Sequence, residues 1–325
     1  MLIKLWNKII IIFLLCFIYI SFKRILVNKI NKISVAYGLN NNYFLQTYIS
    51  IISILENSFS STFYKFYLLI NSKEFKEENK EILHNLEDKY QNCKFFYCDI
   101  NITIFDDISA SKRKKYPKET FYRLLIANYI PDDRVIYLDG DTFIFSDLGE
   151  MFNLKMDDNI ILGFADRGFK YIDRLGYEDY KYITAGVLLI DLKKIRNQNI
   201  TNKFIDFMNI NKNRLIQNDQ TVINVVLKKN IGFLPPKFGI WNFRHKKDVV
   251  IYYYNLRNKY HKDIYIKSTF INAWKNPTIV HYVYKKPWLN ERKYKNKYFH
   301  KKWWNLTKNI GIYSNVTNLS RKKKS

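Results

Sequence analysis

"RVIYLDGDTFIF" (residues 134–145) places two carboxylates, Asp139 and Asp141, at the end of a short apolar run, with only Gly140 between them. A continuous run of four to eight apolar residues ending in turn residues reads as a buried strand. In an open α/β sheet, ligands bind beyond the carboxyl ends of the strands. Residues two apart on an extended chain share a face, so both acids would converge on one point. Two desolvated anions at that distance repel unless one is protonated or a cation sits between them. A hard divalent ion held through oxygens, Mg²⁺ or Mn²⁺, meets that requirement and brings phosphate oxygens with it. Gly140 would let a ligand approach the backbone. Taken alone, the same pattern also fits a polar turn after a strand, where Asp is common.

The sequence before this stretch alternates between two periods. "KISVAYG" (32–38), "FYKFYLLIN" (63–71) and "CKFFYCDI" (93–100) read as strands. Between them, "YFLQTYISIISILENS" (43–58) and "KEFKEENKEILHNLEDKY" (73–90) read as helices. This βαβαβ order predicts a parallel sheet covered on both faces. "KETFYRLLIANYI" (118–130) reads as a helix stopped by Pro131, and "NIILGFADR" (159–167) and "AGVLLIDLKKIR" (185–196) continue the alternation. "QNDQTVINVVLKK" (217–229) reads as a late helix. With 325 residues and 47% hydrophobic content, the chain can build one large α/β domain.

The formal net charge of +25 favours anionic partners: phosphodiesters, nucleotide diphosphates or acidic membrane surfaces. Cys93 and Cys98 have neither zinc-site spacing nor a nearby His, and residues five apart on a strand face opposite ways. They read as small buried hydrophobes.

Residues 1–28 contain the apolar run "LWNKIIIIFLLCFIYISFKR" (5–24), read as an uncleaved signal anchor, with a cleaved signal peptide as the alternative. The tail over residues 289–325 is basic and aromatic, and Lys with Trp and Tyr suits a membrane interface. Together these predict a membrane-associated, single-pass protein whose catalytic domain covers residues 32–288. Single-stranded nucleic acid would also suit the tail and is the less favoured partner.

Five segments in order resemble glycosyltransferase family 8, the retaining nucleotide-sugar transferases. They are "ISVAYGLNNNYFLQTYISIISILENS" (33–58), "FYRLLIANYIPDDRVIYLDGDTFIFSDLGEMF" (121–152), "YITAGVLLIDLKKIR" (182–196), "QNDQTVINVV" (217–226) and "VHYVYKKPW" (280–288). The resemblance implies the GT-A fold, a single Rossmann-like nucleotide-binding α/β domain. It implies metal ligation by Asp139, Asp141 and His281. Carboxylates with one imidazole suit Mn²⁺, which tolerates nitrogen better than Mg²⁺ does. It implies that Asn40, Asn42 and Tyr43 hold the base and ribose, and that Arg123 and Lys286 neutralise carboxylate or diphosphate charge. Asp166 and Thr184 would contact the donor sugar. Asp219 and Gln220 would stand at its reactive face, Asp219 positioning the donor or attacking it, and Gln220 stabilising an oxocarbenium-like centre. The loop over residues 40–43 reads NNNY where the family commonly has acids, Thr184 replaces an Asn, and no Gly lies between His281 and Lys286.

The reaction implied moves a hexose, galactose or glucose, from a UDP-sugar to a glycan, glycolipid or glycoprotein. Two rival readings are a non-catalytic carbohydrate or nucleotide binder of the same fold and a metal-dependent nuclease. The ordered motifs speak against the nuclease, and the intact DGD, DQ and His281 speak against the binder.

Overall fold

The computed structural model describes residues 31–106, 117–167, 181–212, 215, 217–260, 264–289 and 298–312. The chain opens with β1 (Asn31–Gly38), α1 (Phe44–Leu55), β2 (Thr62–Ile70), α2 (Glu77–Tyr90) and β3 (Cys93–Asp99). Then come α3 (Ile126–Tyr129), β4 (Arg134–Leu138), β5 (Thr142–Ile144), α4 (Gly149–Phe152), β6 (Ile161–Ala165) and β7 (Ile183–Asp191). The helices α5 (Leu192–Asn197), α6 (Ile200–Asn211) and α7 (Asn218–Val226) precede β8 (Ile231–Phe233) and β9 (Ile240–Trp241). The last elements are α8 (Lys246–Tyr260), α9 (Lys267–Lys275), β10 (Ile279–His281) and α10 (Tyr298–Asn309).

Seven strands form the main sheet in the order β3-β2-β1-β4-β7-β6-β8. The β1–β2, β2–β3, β1–β4 and β6–β8 pairs are parallel, and β7 runs antiparallel to both β4 and β6. Alternating side chains feed two cores. From β1, Ile33, Val35 and Tyr37 pack on one face with α1 and α2, while Ala36 faces the other. From β4, Ile136 and Leu138 join the first core, and Val135 and Tyr137 join the second with α5, α6 and α7. This is the α/β architecture expected of a mostly parallel sheet with helices on both faces.

A second, three-stranded sheet, β5-β10-β9, sits beyond the end of β4. β10 pairs antiparallel with β5, setting His281 opposite Thr142, and parallel with β9, setting His281 beside Trp241. The pairing carries a residue from the far end of the chain to the neighbour of Asp141.

The expected helix over 118–130 is instead a 3₁₀ segment, Lys118–Leu124, followed by the single turn α3. Phe121, Tyr122, Arg123 and Leu124 are all buried in succession. A one-sided amphipathic α-helix cannot bury four consecutive side chains.

The membrane localisation expected from the sequence is corrected by the structure. Among the described residues, no helix is long and apolar enough to cross a membrane. Of the tail's described aromatic side chains, Phe299, Trp303 and Trp304 are buried and Tyr298 is exposed. Phe299, His300, Trp303, Trp304 and Thr307 form the buried face of α10, at helical spacing. Trp303 meets Trp288 with ring centroids 5.5 Å apart, and Phe299 meets Phe145 at 5.9 Å. The Tyr282 hydroxyl donates to the Phe299 carbonyl at 2.8 Å. Residues 1–28, which carried the anchor reading, lie outside the described residues.

Because Trp303 is only 1% exposed, Trp303→Ala should destabilise the protein by about 3–5 kcal/mol in urea-induced unfolding. A change below about 1 kcal/mol would show that α10 is peripheral to the domain.

Candidate active site

β4 ends at Leu138, and the chain turns sharply through Asp139, Gly140 and Asp141 into β5. The Asp139 N–H is held by the Gly186 carbonyl at 2.8 Å, and the Asp139 carbonyl accepts from Thr142 N at 3.2 Å. A buried hydroxyl relay fixes the turn from below. The Tyr37 hydroxyl meets Ser50 Oγ at 2.9 Å, Ser50 meets Thr142 Oγ1 at 2.8 Å, and Thr142 donates to the Asp139 carbonyl at 2.9 Å. The two carboxylates converge because of this turn, not because an extended strand continues. Gly140 lines the cleft and has a duty beyond the one read in sequence. A Cβ there would lie 2.3 Å from Thr47 Oγ1, so the glycine lets α1 pack against the turn.

His281 Nε2 lies 3.0 Å from Asp141 Oδ1 and 3.7 Å from Asp139 Oδ2. One ligand atom from each of Asp139, Asp141 and His281 falls within 4.8 Å of the others. Burial pushes the Asp141 carboxyl up, but Lys286 and His281 outweigh it and hold the group well below the usual carboxylate range. Lys286 Nζ sits directly on Asp141 Oδ2. Two carboxylates and one imidazole nitrogen, with an ammonium standing in as counter-charge, are the donor set expected where a divalent cation belongs. Mn²⁺ or Mg²⁺ therefore fits these residues.

Arg123 joins this cluster to the opposite wall. Its Nη2 donates to Asp139 Oδ1 at 2.8 Å, and its Nη1 donates to the Ala185 carbonyl. The guanidinium lies 4.4 Å above the Tyr137 ring. Its Nε is 3.0 Å from Asp219 Oδ2, but that N–H is directed to the Thr120 carbonyl at 3.2 Å. Asp219 Oδ2 thus has ionic contact with Arg123 while lacking a hydrogen-bond donor. Burial and the Asp139 charge push the Asp219 carboxyl up to about 6, against the pull of Arg123. Burial would weaken the charge on Arg123, but the two acids outweigh it and raise its pKa.

Asp166, at the end of β6, accepts from Gln220 Nε2 at 3.1 Å, and desolvation raises its pKa. Gln220 also donates to Gln217 Oε1 at 2.9 Å, and its own Oε1 accepts from the Ala185 N–H at 3.1 Å. Asn40 Oδ1 accepts from Asn42 N at 3.0 Å and Tyr43 N at 3.2 Å, shaping the loop that enters α1. A cleft of about 610 Å³ gathers Asn40, Tyr43, Arg123, Asp139, Asp141, Asp166, Thr184, Asp219, Gln220 and His281 along its walls. Lys286 reaches it through Asp141. Asn42 is exposed and outside the lining, its backbone N–H bound to Asn40.

Residues 34–292 match the model of Glycosyl transferase family 8. The chain belongs to glycosyltransferase family 8. It is 29% identical over 217 residues to the lipopolysaccharide 1,2-glucosyltransferase of Escherichia coli, covering 63% of this chain and 62% of that enzyme. It is 26% identical over 259 residues to general stress protein A of Bacillus subtilis, covering 77% of this chain and 85% of that protein. The match therefore spans a little under two thirds of the E. coli enzyme's length. The fold resembles that of the galactosyltransferase LgtC, solved in complex with donor and acceptor sugar analogs. There the TM-score is 0.67 at 21% identity, over 85% of this chain and 96% of that one.

Within this family 8 domain, sequence reading missed the residues that shape the site without touching a ligand. Gly186 is the clearest. A Cβ there would sit 2.1 Å from His281 Cε1 and 2.6 Å from Asp139 Oδ2, so only glycine lets the imidazole and the carboxylate meet. Ser50 and Thr47 were signalled by small polar side chains inside an otherwise apolar, buried helix. Trp241 enters the cleft through a pairing with β10 that no local pattern announces.

Gly186→Ala should keep the far-UV circular dichroism of the parent and weaken Mn²⁺ binding by about tenfold or more in calorimetric titration. Arg123→Met should cost about 3–5 kcal/mol in urea unfolding, because it leaves two carboxylates without their shared cation. A loss under 1 kcal/mol would show that solvent, not Arg123, carries that charge balance.

Proposed function

We propose that this protein is a retaining hexosyltransferase that moves galactose or glucose from a UDP-sugar to a glycan, glycolipid or glycoprotein acceptor. The observation that carries this reading is the joining of two groups in one cleft. A metal-type triad, Asp139, Asp141 and His281, is linked through Arg123 to the buried carboxylate of Asp219. Leaving-group and sugar chemistry need those two centres side by side.

A bound Mn²⁺ or Mg²⁺, held by Asp139, Asp141 and His281, would supply Lewis-acid stabilisation of the departing UDP. Lys286 moves from Asp141 to the diphosphate when the donor enters, adding a second positive charge. Asn40, Asn42 and Tyr43 form the loop that receives the base and ribose, with the Tyr43 ring available for stacking. Asp166 and Thr184 bind hydroxyls of the donor sugar.

Asp219 and Gln220 stand at the sugar's reactive face. Arg123 keeps Asp219 in place, and its ionised carboxylate positions the donor or attacks the anomeric carbon. The Gln220 carbonyl is engaged by the Ala185 N–H, and its amide ties to Asp166. Its stabilisation of an oxocarbenium-like centre thus comes from a fixed dipole that needs no reorientation.

The test is UDP release from a panel of UDP-sugars, with and without Mn²⁺. Release from one sugar should depend on metal and fall at least about 100-fold in Asp139→Ala and Asp141→Ala. Asp219→Asn should fall by a comparable factor while still binding UDP. A folded protein that binds UDP and Mn²⁺ but turns over no donor, with any acceptor, would be a binder of the same fold. No UDP binding would sink the reading and favour a nucleic-acid substrate.

A further inference from the structure

The donor cleft continues into a second pocket. This pocket, of about 440 Å³, is lined by Arg167, Asn242, Phe243, Arg244, Tyr252, Tyr284 and Lys285, with Asp248 and Ile251 at its edge. Tyr284 lines both spaces and stands between them. Two further joints are covalent neighbours: Asp166 of the cleft precedes Arg167 of the pocket, and Trp241 precedes Asn242. The Tyr252 hydroxyl passes under the divide and contacts Asp166 Oδ1 at 3.4 Å.

The floor is aromatic. Trp241 meets Tyr252 with ring centroids 4.7 Å apart and Tyr284 at 5.5 Å, and Phe243 meets Tyr252 at 5.2 Å. Trp241, Phe243 and Tyr252 are buried behind one another, and the exposed Tyr284 ring is the face that the C–H face of a pyranose can meet. The wall is also anchored. The buried Asn242 side chain donates to the Lys285 carbonyl at 3.1 Å and accepts from Tyr284 N at 3.2 Å. The segment that carries Tyr284 and Lys285 is therefore fixed in place.

The rim is cationic. Arg167, Arg244 and Lys285 are exposed, and Arg167 lies 5.2 Å over the Tyr252 ring. Among the described residues, Asp248 is the one carboxylate lining the pocket, and its Oδ2 accepts from His245 N at 3.2 Å. Among those residues three cations stand against one acid. Asn255 and Asp248 can hydrogen-bond saccharide hydroxyls, and a rim rich in guanidinium in addition matches a phosphate or carboxylate.

We infer that this pocket is the acceptor subsite and that it selects a saccharide bearing an anionic substituent, phosphate or carboxylate. The inference rests on the glycosyltransferase reading and adds the substrate class to it. The acceptor's ring packs on Tyr284, its nucleophilic hydroxyl faces the donor cleft, and its anion meets Arg244, Lys285 and Arg167.

The experiment uses the full chain with Mn²⁺ and the UDP-sugar it hydrolyses. Acceptors are offered as matched sets: galactose, galacturonic acid and galactose 6-phosphate, then glucose, glucuronic acid and glucose 6-phosphate. In at least one set an anionic member should raise kcat/KM for UDP release about tenfold over its neutral partner, with the advantage shrinking in high salt. Which member gains separates a phosphate from a carboxylate. The double variant R244Q/K285Q should bring the anionic-to-neutral ratio close to one, and R244K/K285R should keep it above one. Equal response across both sets, absence of response included, overturns the inference, as does a preference that survives R244Q/K285Q. UDP binding by the wild type is measured first. Its absence would overturn the transferase reading and this subsite with it, while intact donor hydrolysis with indifferent acceptors would overturn the subsite alone.

Discussion

Two carboxylates from opposite walls of the cleft, Asp139 after β4 and Asp219 on α7, share one buried guanidinium. Arg123 is 7% exposed, and burying a cation costs several kcal/mol unless its partners are close and well placed. Here the partners are two acids, the Ala185 carbonyl and the face of Tyr137. Those groups come from β4 and its end, from β7 and from α7, so satisfying Arg123 fixes these elements and the 3₁₀ segment relative to one another. Burial and the Asp139 charge, against the pull of Arg123, push the Asp219 carboxyl up to about 6. The ion pair is therefore a spacer as well as a neutraliser: it sets how far the metal-type cluster stands from the acid across the cleft.

Much of this was readable before any coordinates. The alternation of strand and helix periods gives the sheet with both faces covered, and the apolar runs of β4 and β7 give its centre. The acid pair, the DQ helix and the His–Tyr segment each carry enough local pattern to be found and put in order. What escaped reading is whatever depends on pairing at a distance. Gly186 looks like any strand glycine until His281 is placed against it. Trp241 lies on a two-residue strand, β9, too short to have a period. The convergence of Asp139 and Asp141 was expected for the wrong reason, since a tight turn does what an extended strand was thought to do. The tail was misread because its lysines hide the spacing of its aromatics. Residues 299, 300, 303, 304 and 307 lie on one helical face, and the cations occupy the other.

The acidic and basic residues divide by location. The net charge is +25, whereas the cleft itself gathers Asp139, Asp141, Asp166 and Asp219. A positive outer field draws anionic substrates inward. On the proposed reading, the acids at the bottom would need a cation beside them before a diphosphate could settle there, so a metal would serve binding as well as chemistry.

The three-stranded sheet has a consequence for how the protein is made. His281 reaches Asp141 only after β10 finds β5, a contact that spans 140 residues, and α10 then closes over the same region. Contacts so far apart in sequence close late, because the intervening chain must first give up its freedom. On the ribosome, the β1–β4 half can form its parallel pairs while the segment holding His281 is still unsynthesised. The nascent chain can therefore pass through a stage with part of its sheet formed and Asp139 and Asp141 still without His281. It becomes competent only when its last third has emerged and docked, so the order of synthesis itself delays activity until the domain is whole.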